Sequence, residues 1–394
     1  MLDMVMPVEE TIRSAALAHH LSANIAEAAG PVKRRTTQAI WHSRANAFPD
    51  RRREALTWER GASVNSDLRG PYRFDVFSRP QEVEERARAA LTDLRQSLAR
   101  LEKSGGEPRI WLPTLRLAII AVERILALGF LDNHMAGEGE WDLRAHKMAE
   151  LSRALNRASA AVSMMETFAG PEWVADLRGD VRIAYRSQVD DSDQPFCLYV
   201  PEDYNPESKW PLMVRLHGMW SDIGEADWTI QTFEWDREFV RYAPRGRFIE
   251  LYPWGRGNEG YWEAGLRDVF DTMALIGEWF AIDPDRVYLM GSSMGAAGAW
   301  RIAADHADRF AAMCCVVGAY DPSLVEKIAG LPVMFHYGGK DKPERVTSPI
   351  EVAEALCSVG GTVEVIGHPE SGHRLETTDY QLSYYQFFAK HARR

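Results

Sequence analysis

A mostly parallel α/β sheet flanked by helices, preceded by an all-helical region, is the fold class this chain predicts. Three observations carry it. From residue 180 onward, short β-branched and aromatic runs alternate with helical stretches, the pattern of strand–helix units in one sheet. Before residue 170 the apolar residues recur at helical spacing. Gly291-Ser292-Ser293-Met294-Gly295 stands between a strand-like run, Arg286 to Met290, and a helix-forming run that begins at Ala296. The expected division is an all-helical accessory domain at 1–170 and a sheet-bearing domain at 171–394, and 394 residues leave room for both.

The elements follow in order. Glu9 to Ala29 carries Ile12, Ala16, Leu17, Leu21 and Ile25 on one helical face and ends at Gly30-Pro31. A second helix starts near Lys33. Gly61 to Pro80 holds loop punctuation at Gly61, Asn65, Gly70-Pro71 and Arg79-Pro80. Gln81 to Lys103 is amphipathic and stops at Ser104-Gly105-Gly106. Trp111 to Phe130 is an apolar helix, and Glu140 to Thr167 is the last helix of this region. No repeat of fixed period runs through them, which disfavours a solenoid. Val181 to Arg186 and Pro195 to Val200 form an opening antiparallel pair. Strands are expected at Pro211 to His217, Phe248 to Tyr252, Arg286 to Met290, Phe310 to Val317, Val333 to Tyr337 and Thr362 to Ile366. Helices are expected at Asp268 to Phe280, Ile350 to Val359 and from Thr378 to the end.

Composition narrows the function classes. An apolar fraction of 46% with 26% charged residues is that of a soluble globular chain. A net charge of −11 argues against nucleic acid as the main partner. Arg116, Glu123 and Arg124 interrupt the most apolar helix, so it reads as amphipathic and not as a membrane span. Met1 to Pro7 has neither a basic start nor a long apolar core, so no secretory signal and a cytoplasmic location are expected. Cys197, Cys314, Cys315 and Cys357 form no C-x-x-C pair and are expected to be buried free thiols. His134 and His146 flank Glu138 and Glu140, but at no metal-ligand spacing, so no metal and no cofactor are expected.

Ser293 is the one serine with glycine at both minus two and plus two. A strand–turn–helix corner that tight needs flanking residues without a Cβ, and it lifts the middle hydroxyl above the sheet. A serine needs a base, and the base needs a carboxylate. Where a serine sits at such a corner, the partners follow in the order acid, then histidine. Asp341, in the loop after the strand Val333 to Tyr337, is the first choice for the acid, and Glu344 is the alternative. His373, after the last strand, is favoured as base over His368; His306 and His336 read as structural. Met294 N–H and Met219 N–H, from the loop His217-Gly218-Met219-Trp220, are the candidate oxyanion donors. Trp220, Trp254, Arg256 and Trp262 are candidate substrate contacts, because aromatic walls suit aryl, sugar or acyl groups. They belong to an aromatic-dense stretch that also holds Trp228, Phe233, Trp235, Tyr252 and Tyr261; the other reading is that half or more of these rings pack the helical domain against the sheet, and the other reading of Arg256 is a solvated loop tip.

The runs Pro211 to Gly218, Gly255-Arg256-Gly257-Asn258, Asp268-Val269 and Ile282 to Gly295 resemble the prolyl-oligopeptidase-like branch of the α/β-hydrolases, with its feruloyl-esterase-like and polyhydroxybutyrate-depolymerase-like members. The resemblance covers about residues 180 to 394. It implies an α/β-hydrolase fold, Ser293, Asp341 and His373 as the triad, Met219 and Met294 as oxyanion donors, and an acyl-enzyme route. No run of short strands stands where oligopeptidases have a propeller. A serine carboxylesterase acting on a small or oligomeric ester is the leading expectation. The alternatives are a peptidase or acyltransferase with the same triad and, less favoured, a non-catalytic binding protein. The helical region is expected to be a packed accessory domain that shapes access to Ser293; a lid and an oligomerisation surface are the other roles.

Overall fold

A computed structural model of the chain describes residues 71–74, 78–104, 110–128, 143–168, 171–219, 247–375 and 377–393. The helices expected at 9–29 and from Lys33 lie outside the described residues, as do His134 and the side chain of His146. Three long helices come first: α1 (Pro80–Ser104), α2 (Trp111–Leu128) and α3 (Leu143–Thr167). There follow β1 (Gly179–Arg186), β2 (Asp193–Val200), β3 (Trp210–Leu216), β4 (Ile249–Pro253), α4 (Ala264–Trp279), β5 (Ile282–Ser292), α5 (Met294–His306) and β6 (Ala312–Val316). A short α6 (Val325–Ile328), β7 (Val333–Gly338), α7 (Pro343–Ser358), β8 (Val363–His368) and α8 (Thr377–Phe388) complete the described elements.

The eight strands form one sheet in the order β1-β2-β4-β3-β5-β6-β7-β8. β1 and β2 are antiparallel, and so are β2 and β4; every other neighbouring pair is parallel. This is the mostly parallel α/β-hydrolase sheet that the sequence predicts. Side-chain alternation splits the core into two layers. Val287, Leu289, Met313, Cys315, Val333 and Phe335 face the layer shared with α1 to α5 and α7. Tyr288, Met290, Cys314, Val316 and Met334 face the other, where α8 contributes Tyr384, Phe387 and Phe388.

The first core layer runs without a break from Val83 and Leu115 through Leu155 to the strands. The join near residue 170 is thus a change from helices to strands, and apolar packing crosses it. Two links make the crossing specific. Thr114 Oγ1 in α2 accepts the Ala184 N–H of β1 at 2.8 Å in a buried position. The rings of Trp111, Trp173 and Trp279 meet edge to face, with centroids 5.0 Å apart in each pair. The exposed pairs Arg95–Glu123 and Arg116–Glu102 on α1 and α2 add at most about 1 kcal/mol each. No described helix is long and apolar enough to cross a membrane. All four cysteines are free, but only Cys314 and Cys315 are buried; Cys197 is half-buried and Cys357 is exposed on α7. The expectation of buried thiols therefore holds for the β6 pair, where burial pushes both up.

His336 is buried in β7, with Nδ1 3.1 Å from His368 Nε2 and Nε2 3.1 Å from Ser383 Oγ. Burial first, and the His368 ring second, push it down to about 3. An unfolded histidine titrates near 6.5, so the unfolded chain takes up this proton first as the pH falls. The stability contribution is complete above that value and is lost as the pH drops toward 3. The difference between urea midpoints at pH 8 and pH 5 should therefore shrink in His336→Asn. A variant with the wild-type difference would assign the pH sensitivity elsewhere.

Candidate active site

Ser293 sits between β5 and α5 with φ 53° and ψ −113°, a conformation side chains rarely adopt. Two close approaches hold it there. A Cβ on Gly291 would lie 2.0 Å from Gly295 O, and a Cβ on Gly295 would lie 2.1 Å from Leu216 O. Ser293 N–H donates to Val316 O of β6 at 2.8 Å, and Ser293 O accepts the N–H groups of Ala296 and Ala297 as α5 begins. The backbone is fixed on both sides, so the hydroxyl projects from a rigid corner.

The loops after β7 and β8 bring the partners. His373 Nε2 lies 2.9 Å from Ser293 Oγ, and His373 Nδ1 lies 2.7 Å from Asp341 Oδ2. The Asp341 side chain is 3% exposed, and its Oδ1 accepts Lys342 N–H at 2.8 Å. The two loops are stitched by Gly339 N–H to His368 O and Lys340 N–H to Ser371 O. They pass so closely that a Cβ on Gly338 would lie 2.0 Å from Gly372 O. Glu344 is exposed in the first turn of α7, and His368 is turned to His336, so neither joins the group around Ser293. With Nδ1–H donated to Asp341, Nε2 carries the lone pair that can take the serine proton.

Arg345 was not singled out by the sequence. Its Nη1 lies 3.0 Å from His373 Nδ1 and 3.6 Å from Asp341 Oδ1. Nδ1 has one hydrogen to give and Asp341 takes it, so the guanidinium acts on the carboxylate, holding its charge in place. Nothing local in the sequence signals this; helical spacing from Asp341 to Arg345 is its only trace.

On the other side of Ser293 lies His217-Gly218-Met219. A Cβ on Gly218 would be 3.2 Å from Ser293 Cβ, so the loop passes directly beside the serine. Met219, the next residue, is 59% exposed. Met294 opens α5, where the first N–H groups have no acceptor within the helix. The His217 ring is caught between two carbonyls, with Nδ1 2.8 Å from Gly218 O and Nε2 2.5 Å from Trp254 O.

The candidate substrate contacts divide. Trp220 lies outside the described residues. Trp254 is buried with its ring against His217, centroids 5.1 Å apart, so it is packing behind the loop and not a wall of the pocket. Arg256 is neither a substrate contact nor a solvated loop tip. Its side chain is 11% exposed, and it donates to Asp268 at 2.6 Å and Asp190 at 2.5 Å. The sequence could not show this, because Asp190 is far away in the chain. Arg256 holds the Asp190 carboxyl well below the usual carboxylate range. Trp262 is 42% exposed and lines a cavity of about 500 Å³ with Tyr261, Ala297, Trp300, Arg301 and Asp305, a cavity that Ser293, Asp341 and His373 do not themselves line. Ala297 is one helical turn beyond Ser293. Among the described residues no group of three or more metal-ligating side chains gathers.

The glycine at the front of the corner carries a sharp prediction. Gly291→Ala places a methyl against the Gly295 carbonyl, an overpacking that costs more than about 2 kcal/mol. Urea unfolding of the variant should show that loss, and a midpoint equal to the wild type would contradict the packing described.

Residues 187–378 match the family model described as "Putative esterase". "Putative esterase NocK" of Nocardia uniformis subsp. tsuyamanensis is 33% identical over 106 residues, 21% of this chain and 31% of that protein. The chain thus spans about a third of the curated relative it matches. Among solved structures, a thermostable esterase is 21% identical with a TM-score of 0.41, covering 54% of this chain and 63% of its own. A ferulic acid esterase is 19% identical with a TM-score of 0.43, covering 54% of this chain and 98% of its own. Ser293, Asp341 and His373 all lie within the stretch that matches this esterase family model.

Proposed function

We propose that the chain is a serine carboxylesterase that works through an acyl-enzyme. The observation that carries this reading is the unbroken line from Ser293 Oγ to His373 Nε2, 2.9 Å, and from His373 Nδ1 to Asp341 Oδ2, 2.7 Å. Ser293 attacks the ester carbonyl as its proton passes to His373. The oxyanion gathers against the N–H groups of Met294 and Met219. His373 then returns the proton to the leaving alcohol, and the acyl group stays on Ser293. Water repeats the sequence with His373 as base and releases the acid. The His373 side chain is 39% exposed, which favours water as the acyl acceptor.

Hydrolysis of p-nitrophenyl acetate and labelling by a fluorophosphonate test the assignment. Ser293→Ala should abolish labelling and lower kcat by about 10⁴-fold or more, and His373→Ala should do nearly as much. Asp341→Asn should lower kcat by about 10⁴-fold through the wrong histidine tautomer. Labelling that survives in Ser293→Ala would move the nucleophile elsewhere.

The cavity beside Trp262 suits the remote part of the substrate. An aromatic face worth about 0.5–1.5 kcal/mol in binding should appear in KM. Trp262→Ala is expected to raise KM for an aryl ester severalfold while kcat stays near the wild type. An unchanged KM across aryl and alkyl esters would exclude the ring from the substrate path.

A further inference from the structure

We propose that Tyr261 is a positioning residue that sets the oxyanion loop, acting through its hydroxyl; the inference rests on the carboxylesterase reading. β3 and β4 are parallel neighbours with paired residues as far as Val214 and Leu251. Beyond that point they part, β3 into the loop beside Ser293 and β4 into the turn at Trp254. The Tyr261 hydroxyl spans the gap. It accepts the His217 N–H at 2.8 Å and donates to Pro253 O at 3.3 Å. In effect it supplies a missing rung of the ladder at the height where the loop must be held.

The ring cannot drift. Tyr261 is buried, and a Cβ on Gly255 would lie 2.7 Å from the ring, one on Gly298 of α5 2.8 Å from Tyr261 Cβ. The same turn that receives the ring carries Gly255, Arg256 and Gly257 in succession at positive φ, 56°, 51° and 68°. Of the three, Arg256 alone bears a Cβ, and its guanidinium is anchored on Asp268 Oδ2 and Asp190 Oδ2. Asp268 is itself fixed by the hydroxyls of Tyr185 and Ser187, both at 2.7 Å. The turn then reaches His217 a second time, because Trp254 O meets His217 Nε2. His217 is therefore tied at its backbone by Tyr261 and at its ring by the turn that Arg256 anchors. Gly218 and Met219 follow it immediately. The Met219 N–H is two residues along the chain, so its placement depends on where His217 is held.

Tyr261→Phe keeps the ring and removes the hydroxyl. Sites are counted by fluorophosphonate taken to completion, and p-nitrophenyl acetate turnover is expressed per site. Loss of the rung should lower kcat per site by about 10- to 100-fold with KM within about twofold, since a donor displaced by about an ångström costs that much. Amide exchange over residues 216–219 should quicken. Arg256→Lys, which loses the fork between Asp268 and Asp190, should move the same two readouts in the same direction to a smaller degree. It serves if the phenylalanine variant does not fold. A residue that only supports the fold would lower the thermal midpoint and the number of sites, leaving kcat per site and exchange at 216–219 at wild-type values; that result overturns the proposal. If the wild type hydrolyses no ester, the carboxylesterase reading fails by itself. The exchange rate at 216–219 then decides on Tyr261 alone: quickened supports it, unchanged overturns it.

Discussion

Everything at this site depends on backbone lying against backbone with nothing between. β5 can turn into α5 within one residue only because Gly291 leaves room for the Gly295 carbonyl and Gly295 leaves room for the Leu216 carbonyl. The second contact matters as much as the first. It presses the start of α5 onto the end of β3, so the strand that leads into the His217–Met219 loop and the helix that Met294 opens are in register by van der Waals contact. The strained backbone of Ser293 persists because hydrogen bonds and packing on both sides determine it. Val317, one residue past the carbonyl that binds Ser293, also has positive φ, 48°, though it is β-branched. Among the described residues, two of the five non-glycine residues at positive φ thus sit at the carboxyl edge of β5 and β6.

The opposite loops obey the same rule with different parts. Gly338 and Gly372 meet at a distance no side chain would allow, and that contact fixes the offset between Asp341 and His373. A buried carboxylate with both oxygens engaged and a cation nearby gives the histidine one orientation. The remaining freedom lies in the imidazole itself, which is open to solvent on one side. The arrangement separates a rigid frame from one ring that has a proton to carry.

The strands of the sheet and the corner at Ser293 were legible in the sequence because each is written in a contiguous run: apolar alternation, a helix former, two glycines spaced around a serine. Asp341 and His373 were legible for a related reason, since strand ends announce the loops that can reach a common point. Arg256 was not. Its role is set by Asp190 and Asp268, and Asp190 is brought near only by the antiparallel entry of β1 and β2. Tyr261 was read as one aromatic among many, since a hydroxyl that replaces a rung between parting strands leaves no periodic trace. Trp254 looked like a pocket wall for the same reason: local sequence gives the ring but not which side faces solvent. The change of pattern near residue 170 was plain, yet pattern says nothing about whether apolar faces on its two sides are buried against each other.

The buried carboxylate of Asp268 has a consequence for how much of this chain is needed. Of its donors, Tyr185 belongs to β1, Ser187 to the turn that leaves β1, and Arg256 to the turn after β4. The stretch that matches the family model begins at residue 187 and ends at 378. A fragment trimmed to those limits would discard Tyr185 and most of α8, and with them one ligand of the anion and the aromatic floor beneath Tyr288. The border of the matched stretch falls inside the mechanical unit, so a minimal working piece of this protein has to be cut wider than residues 187–378.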